Sequence, residues 1–317
     1  MADLCFIGID TSNYTTSVAL ATADGEVVAN LKAPLPVKAG ERGLRQSEAV
    51  FAHVKNLPVL MERLEPLLQD FEPIGIGVSA TPRDAEDSYM PCFLAGVAAA
   101  RSLAAGLHVP VHAFSHQNGH LMAALHSADA LHLIGKPFGA FHVSGGTTEM
   151  LYVNPCEAHF APVLVGGTAD LNAGQAVDRI GVAMGLAFPC GPALEALAAK
   201  NTRKLPRSRI SVKEGTCHLS GLENMALRML EETGDASYIA AFVLQFIADT
   251  LIAMATYLRE ANEGLPLLFA GGVMSNRIIA DKVRKTMGEV YFAEPAFSAD
   301  NAAGTALLCR AKMTQKQ

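Results

Sequence analysis

Apolar residues alternate along the chain between strand-like runs and helical spacing. Leu4 to Ile9 is a continuous apolar run, Asp10 to Ser17 is polar, and Val18-Ala19-Leu20 is apolar again. That pattern predicts a strand, a tight turn and a second strand. Gly25 to Leu31 reads as a third strand of the same meander. A polar loop at 39–43 then leads to 47–64, where Val50, Val54, Leu57, Leu60, Met61 and Leu64 recur at helical spacing and predict one apolar face. A strand over 74–79, a polar loop over 81–88, an alanine-rich helix over 93–107 closed by Gly106, and a short strand over 108–114 follow.

From Phe138 the pattern restarts. Residues 138–143, a Ser144-Gly145-Gly146 turn and 148–153 repeat strand, turn and strand about 135 residues after the first set, which points to internal duplication. A helix follows Asn172 and is broken by Phe188-Pro189-Cys190-Gly191-Pro192. Ile239, Phe242, Val243, Phe246, Ile247 and Ile252 mark the clearest helix, 239–257. A strand over 265–270 delivers Gly271-Gly272 to a helix start at Asn276-Arg277, and a last strand over 290–292 precedes a loop and a final alanine-rich helix. The expected division is a first lobe over 1–132, with the terminal helix 301–317 packing back on it, and a second lobe over 133–300.

Composition narrows the class. Of 317 residues half are hydrophobic and 18% charged, enough for a large core, and no uninterrupted apolar run reaches the roughly 18 residues of a membrane span. The start, Met1-Ala2-Asp3-Leu4, shows no basic leader, so a cytoplasmic protein with no membrane role is expected. Six scattered cysteines without a C-x-x-C pair fit reduced thiols. With a net charge of -6 the whole chain offers no footprint for nucleic acid, so RNA contact requires a local basic patch or a partner.

Candidate chemistry sits in the polar turns. If Ser115 to Leu125 is helical, His116 and His120 project from one face, where two imidazoles can share a metal ion or be ordinary half-buried histidines. The Asp10-Thr11-Ser12 turn places hydroxyls and N–H groups where phosphate or metal-bound water can sit, or is a plain hairpin. Glycines between a strand and a helix start, as at 271–276, let phosphate or ribose approach backbone donors. Asp178 and Asn276 are candidates for ligand contact or for helix capping.

Taken together and in order, these segments resemble the TsaD family, also called glycoprotease or O-sialoglycoprotein endopeptidase. The resemblance rests on Gly8-Ile9-Asp10-Thr11-Ser12, His116-x-x-Gly119-His120, Val143-Ser144-Gly145-Gly146, Ala173-Gly174-x-Ala176-x-Asp178, Gly191-Pro192, Ser220-Gly221-Leu222, Ala270-Gly271-Gly272-Val273-x-x-Asn276-Arg277 and Asp300-Asn301-Ala302. It implies an α/β, actin-like ATPase (ASKHA) fold of two duplicated lobes with mixed sheets and a nucleotide cleft between them. It also implies one divalent metal, Fe2+ or Zn2+, on His116, His120 and Asp300. An adenine nucleotide, threonylcarbamoyl-AMP or ATP, would meet Ser144, Gly145, Gly146, Asp178, Gly191 and Asn276. The implied reaction moves a threonylcarbamoyl group from its adenylate to N6 of adenosine 37 in tRNA, with TsaB-like and TsaE-like partner proteins, and allows a dimer with a paralogous actin-like subunit. No protein nucleophile is needed and no catalytic side chain is assigned.

The chain departs from the family pattern at named positions. Tyr14 and Thr15 stand where the family carries an acidic pair, Thr81 to Pro91 replaces a glycine-proline-glycine loop, and Thr147 replaces a histidine. Asn118 replaces a glutamate and Arg179 a lysine. A divergent paralogue is therefore the alternative: a carbamoyl-type transferase or ATPase with another acceptor, or a non-catalytic subunit.

Overall fold

The computed structural model describes residues 2–12, 14–36, 44–156, 159–298 and 300–314, so the polar loop expected at 39–43 lies outside the described residues. Contacts divide the chain into two compact units, one of Met1–Gly135, Pro155–Ala161 and Ala296–Gln317, the other of Lys136–Asn154 and Pro162–Pro295.

The first unit opens with β1 (Asp3–Thr11), β2 (Thr15–Thr22) and β3 (Val27–Pro34), then α1 (Gln46–Leu64), β4 (Phe71–Thr81), α2 (Phe93–Leu107), β5 (Val111–Ser115) and α3 (His116–Ser127). Its sheet runs β3-β2-β1-β4-β5, with β2 antiparallel to both neighbours and β1, β4 and β5 parallel. Ile7, Ile9, Val18, Leu20, Ile76 and Val78 bury one sheet face against Leu57, Leu60 and Leu64 of α1 and Ala100 and Ala104 of α2.

Two expectations are corrected here. Val54, read as part of the buried face of α1, is 56% exposed, and His53 is buried in its stead. The hydrophobic pattern overlooked that Thr16 Oγ1 lies 2.8 Å from His53 Nδ1, so the core offers the imidazole a polar partner. The strand expected from His108 begins at Val111, because His108 adopts the left-handed conformation (φ 56) that closes α2.

The second unit contains β6 (Phe138–Val143), most of β7 (Thr148–Cys156) and of β8 (His159–Thr168), α4 (Ala173–Ala183), α5 (Gly191–Ala198), β9 (Ser211–Lys213), β10 (Thr216–His218), α6 (Ser220–Thr233), α7 (Ala236–Glu260), β11 (Leu267–Ala270), α8 (Arg277–Met287) and β12 (Val290–Phe292). Its sheet order is β12-β11-β6-β7-β8-β10-β9. The stretch β8-β7-β6-β11-β12 repeats β3-β2-β1-β4-β5, including the antiparallel first pair and the parallel crossover partners. One supersecondary plan has thus been used twice. Among the described residues α7 alone is long and apolar enough to cross a membrane, but 72% of its most apolar window is buried, the mark of a core helix.

The chain ends with α9 (Pro295–Ser298) and α10 (Ala303–Thr314). The final helix packs in the first unit on α3, β1 and β4. It lies in a trough of missing side chains: a Cβ on Gly8 would fall onto the Ala302 carbonyl oxygen and 2.8 Å from Ala306 N, and one on Gly77 would stand 2.8 Å from the Thr305 carbonyl carbon. Backbone therefore rests on backbone, and Ala302, just before α10, is drawn against β1.

Candidate functional site

Within the first unit, β5 hands directly to α3. Ser115 caps the helix by accepting from Asn118 N at 3.2 Å, so the first helical residue is His116 and the second imidazole follows one turn later. The two Nε2 atoms are 2.9 Å apart. Asp300 Oδ1 stands 3.2 Å from His120 Nε2 and 3.5 Å from His116 Nε2. Asn301 holds the loop behind it, accepting from Ala303 N at 3.1 Å and donating to Phe297 O at 3.1 Å. These three distances leave a point about 1.9 Å from each donor atom, close to the ~2.0–2.2 Å bonds that imidazole and carboxylate make to a divalent ion. His116, His120 and Asp300 are accordingly a set that can hold a metal.

Asp10, near the end of β1, reads from sequence as part of a turn for phosphate or metal-bound water and not as a partner of His116, yet it belongs to this constellation. Its fully buried carboxylate accepts from His116 Nδ1 at 2.9 Å. That hydrogen bond puts the ring proton on Nδ1 and leaves the Nε2 lone pair for a ligand, the carboxylate–histidine arrangement that supports metal sites. The available signal was a carboxylate ending a buried strand, which has no reason to be there unless it is paired. Asp84 was missed: it accepts from Ser115 Oγ at 3.1 Å and from Asn118 Nδ2, so the side chain in the family's glutamate position is bound to the altered loop.

Burial pulls the His116 pKa down, but the charge and hydrogen bond of Asp10, helped by Asp300, outweigh it and hold the imidazolium up to about 10 against an ordinary 6.5. Burial pushes Asp300 up, and the two histidines overcome it and hold the carboxyl well below its usual range. The sign of the pH effect follows. A raised folded pKa stabilises fully below 6.5, and that stability is lost as pH climbs through about 10. The proton lost is the one on Nε2, since Nδ1 keeps its own for Asp10, and a metal ion requires that Nε2 deprotonated, so its stabilising effect grows over the same window. Melting temperatures in chelator should fall between pH 6.5 and 10, and the increment given by added Zn2+ should rise; parallel curves would remove His116 from the metal.

The second unit gathers the glycine loops. Ser144 N donates to Thr147 O at 2.7 Å, and Ser144 Oγ accepts from Thr147 N at 3.1 Å and Gly146 N at 3.3 Å. Gly174, at the start of α4, packs so close that its Cβ would stand 2.6 Å from Gly145 N, and Gly271 (φ 103) would place one 2.7 Å from the Val143 carbonyl carbon. Three chain turns are thereby pressed together, while a Cβ on Gly145 or Gly146 would meet nothing within 4 Å. Open space beside the Cα atoms of a glycine turn next to a helix start is a setting where phosphate can approach the backbone.

The polar candidates around it have structural duties as well. Asp178 Oδ1 accepts from Cys190 N at 2.9 Å, one residue before Gly191 begins α5. Asn276 caps α8 by accepting from Ile279 N at 3.1 Å. Arg277 N donates to Glu195 Oε2 at 3.3 Å, which ties α5 to that cap. Arg179 is paired with Glu223 at 2.9 Å. The six nucleotide candidates thus lie in one unit and the three metal candidates in the other.

With this geometry in hand, comparison with known proteins is specific. Residues 89–307 match the family model described as TsaD: tRNA N6-adenosine threonylcarbamoyltransferase. A protein of that name from Aromatoleum aromaticum is 30% identical over 312 residues, covering 94% of this chain and 88% of the relative. Among solved structures, HypF of T. kodakarensis superposes with TM-score 0.60 at 15% identity over 99% of this chain and 48% of that one. Component A of the Acidaminococcus fermentans (R)-2-hydroxyglutaryl-CoA dehydratase gives 0.55 at 15% identity over 98% and 99% of the two chains. At such identities the likeness shows the fold alone, and that fold is the actin-like ATPase one.

Proposed function

We propose, for a chain that belongs to the TsaD family of tRNA N6-adenosine threonylcarbamoyltransferases, that it transfers a threonylcarbamoyl group from threonylcarbamoyl-adenylate to N6 of adenosine 37 in tRNA. It is in that case a cytoplasmic acyltransferase working with TsaB-like and TsaE-like proteins, and a paralogous actin-like subunit is the partner we expect in a dimer. The observation that carries the reading is the triad of His116, His120 and Asp300 with Asp10 behind it. One divalent ion, Fe2+ or Zn2+, would be held there, and when bound it supplies a Lewis acid for a phosphoryl or carbonyl oxygen.

The chain's own groups do the binding. The Gly145-Gly146 turn would take phosphate oxygens on its open side, with Gly146 N–H, which now donates to Ser144 Oγ at 3.3 Å, turning to the ligand. Asp178, with one carboxylate oxygen on Cys190 N, keeps the other for a ribose hydroxyl. In the reaction the N6 amine forms a C–N bond to the carbamoyl carbon, the C–O bond to AMP breaks, AMP leaves with the electron pair and the N6 proton passes to solvent. The carbonyl is already activated as a mixed anhydride, so no protein nucleophile is required.

One observation favours a second reading, that the acceptor differs. Tyr14, 45% exposed, and Thr15 occupy the positions of the family's acidic pair. Both readings meet one experiment. Expressed with its own partner proteins in a strain depleted of the endogenous transferase, the chain should restore threonylcarbamoyl-adenosine in digested tRNA, and His116→Ala should lower it by at least ~10³-fold while removing the single bound metal. Good expression without the modified nucleoside would sink the first reading in favour of the second. The nucleotide assignment has its own check: Asp178→Ala with Asn276→Ala should weaken adenylate binding by at least ~10-fold, and unchanged binding would move the nucleotide elsewhere.

A further inference from the structure

Lys200, Arg203, Lys204, Arg207, Arg209 and Lys213 are six of the chain's 25 lysines and arginines, and no acidic residue lies between the first and the last. All six are exposed. In a chain of net charge -6 this is a local reversal of sign.

The segment that carries them is held firmly on the second unit. Gln245 Nε2 donates to Pro206 O at 2.9 Å, and Ser208 Oγ to Asp249 Oδ2 at 2.6 Å. Leu205, Ile210 and Val212 pack against the core, and β9 pairs with β10. Arg203 is spent on the fold: it pairs with Asp235 at 3.1 Å and lies 4.1 Å over the Tyr238 ring. Lys200, Lys204, Arg207, Arg209 and Lys213 make no ion pair among the described residues. Elsewhere in the unit Arg228 pairs with Glu232 at 2.7 Å and Arg284 with Asp281 at 3.4 Å, while the exposed Lys136, Arg277 and Lys285, scattered along the chain, make no ion pair among the described residues.

Five unpaired cations on a track anchored by these contacts have surrendered little hydration before they meet an anion. The track exposes no large hydrophobic side chain. Protein interfaces have an apolar, aromatic-rich centre, and membrane-surface segments bury an apolar face, so neither partner fits. A sugar–phosphate backbone does, because it asks only for closely spaced positive charge. We propose that residues 200–213 form a phosphate-backbone contact surface for tRNA. The assignment rests on the tRNA reading above and names where on this otherwise acidic chain the polyanion is gripped.

The test uses the full chain with its own partner proteins and an unmodified tRNA transcript. Combining Lys204→Ala, Arg207→Ala and Arg209→Ala should reduce affinity about 10–100-fold near 0.1 M salt and lower the log–log salt slope by about 2–3. Melting temperature and metal content should stay unchanged, as these side chains are exposed and unpaired. Arg228→Ala with Arg284→Ala, which removes paired cations, should leave both affinity and slope alone. A triple variant with the parent's affinity and slope overturns the proposal while leaving the transferase reading intact. So does a triple variant that keeps its tRNA but loses a co-purifying protein, which would make the loop a protein contact. If the parent complex neither binds nor modifies tRNA, the transferase reading falls and this surface with it.

Discussion

Gly304→Ala is expected to lose at least ~100-fold in metal affinity and to destabilise the fold by about 2–3 kcal/mol, although alanine is the better helix former. The added Cβ would be driven onto the Gly119 carbonyl oxygen, 2.6 Å from the carbonyl carbon and 3.0 Å from Gly119 Cα. Alanine's helix propensity returns about 1 kcal/mol. The steric term wins because every obstacle is backbone of α3, which cannot rotate aside as a side chain does. Relief requires α10 to slide off α3, and Asp300 moves with it. Its oxygen is 3.2 Å from His120 Nε2 and 3.5 Å from His116 Nε2, and metal–ligand bonds tolerate only about 0.2 Å. Metal titration and thermal unfolding of Gly304→Ala measure both effects. Gly106→Ala is the control, since a Cβ there meets nothing within 4 Å, and it should be neutral or stabilising by up to about 1 kcal/mol. A Gly304→Ala protein that binds metal like the parent would show that the helix crossing does not set the triad.

That crossing also shows how far the sequence could be read. His116 and His120 were legible because i, i+4 spacing is local, and the strand-turn-strand openings were legible because alternation is local. Asp300 was supplied by resemblance alone, since nothing local links it to a helix 180 positions earlier. The pairing of Asp10 with His116 escaped for the same reason, its hydrogen bond spanning 106 positions. Gly119 could be seen as a motif letter, but that a Cβ on Gly304 would strike its carbonyl is a tertiary fact. His53 displaced Val54 from the buried face because Thr16, on β2, gives it a partner. Residues 200–213 were hidden by averaging: a net charge of -6 says nothing about where the cations gather.

Asp10→Asn should weaken metal binding about 10–100-fold without disturbing the fold. The substitution separates two contributions of the carboxylate. An asparagine oxygen can still accept from His116 Nδ1, so the ring keeps its orientation and its Nε2 lone pair still faces His120 and Asp300. What disappears is the negative charge that makes the imidazole a better donor to a cation, and in a fully buried position that charge is weakly screened. The same charge is a main reason the metal-free His116 is held up to about 10, so the loss of stability between pH 6.5 and 10 in chelator should flatten in this variant. Asp10→Ala should do more harm, because it strands a buried Nδ1–H at about 1–3 kcal/mol and frees the ring to turn. Affinity should therefore fall in the order parent, Asp10→Asn, Asp10→Ala, by metal competition titration. If both variants weaken binding equally, hydrogen bonding alone positions His116; if Asp10→Asn binds as the parent does, the carboxylate's charge plays no part and its burial at the end of β1 serves the fold.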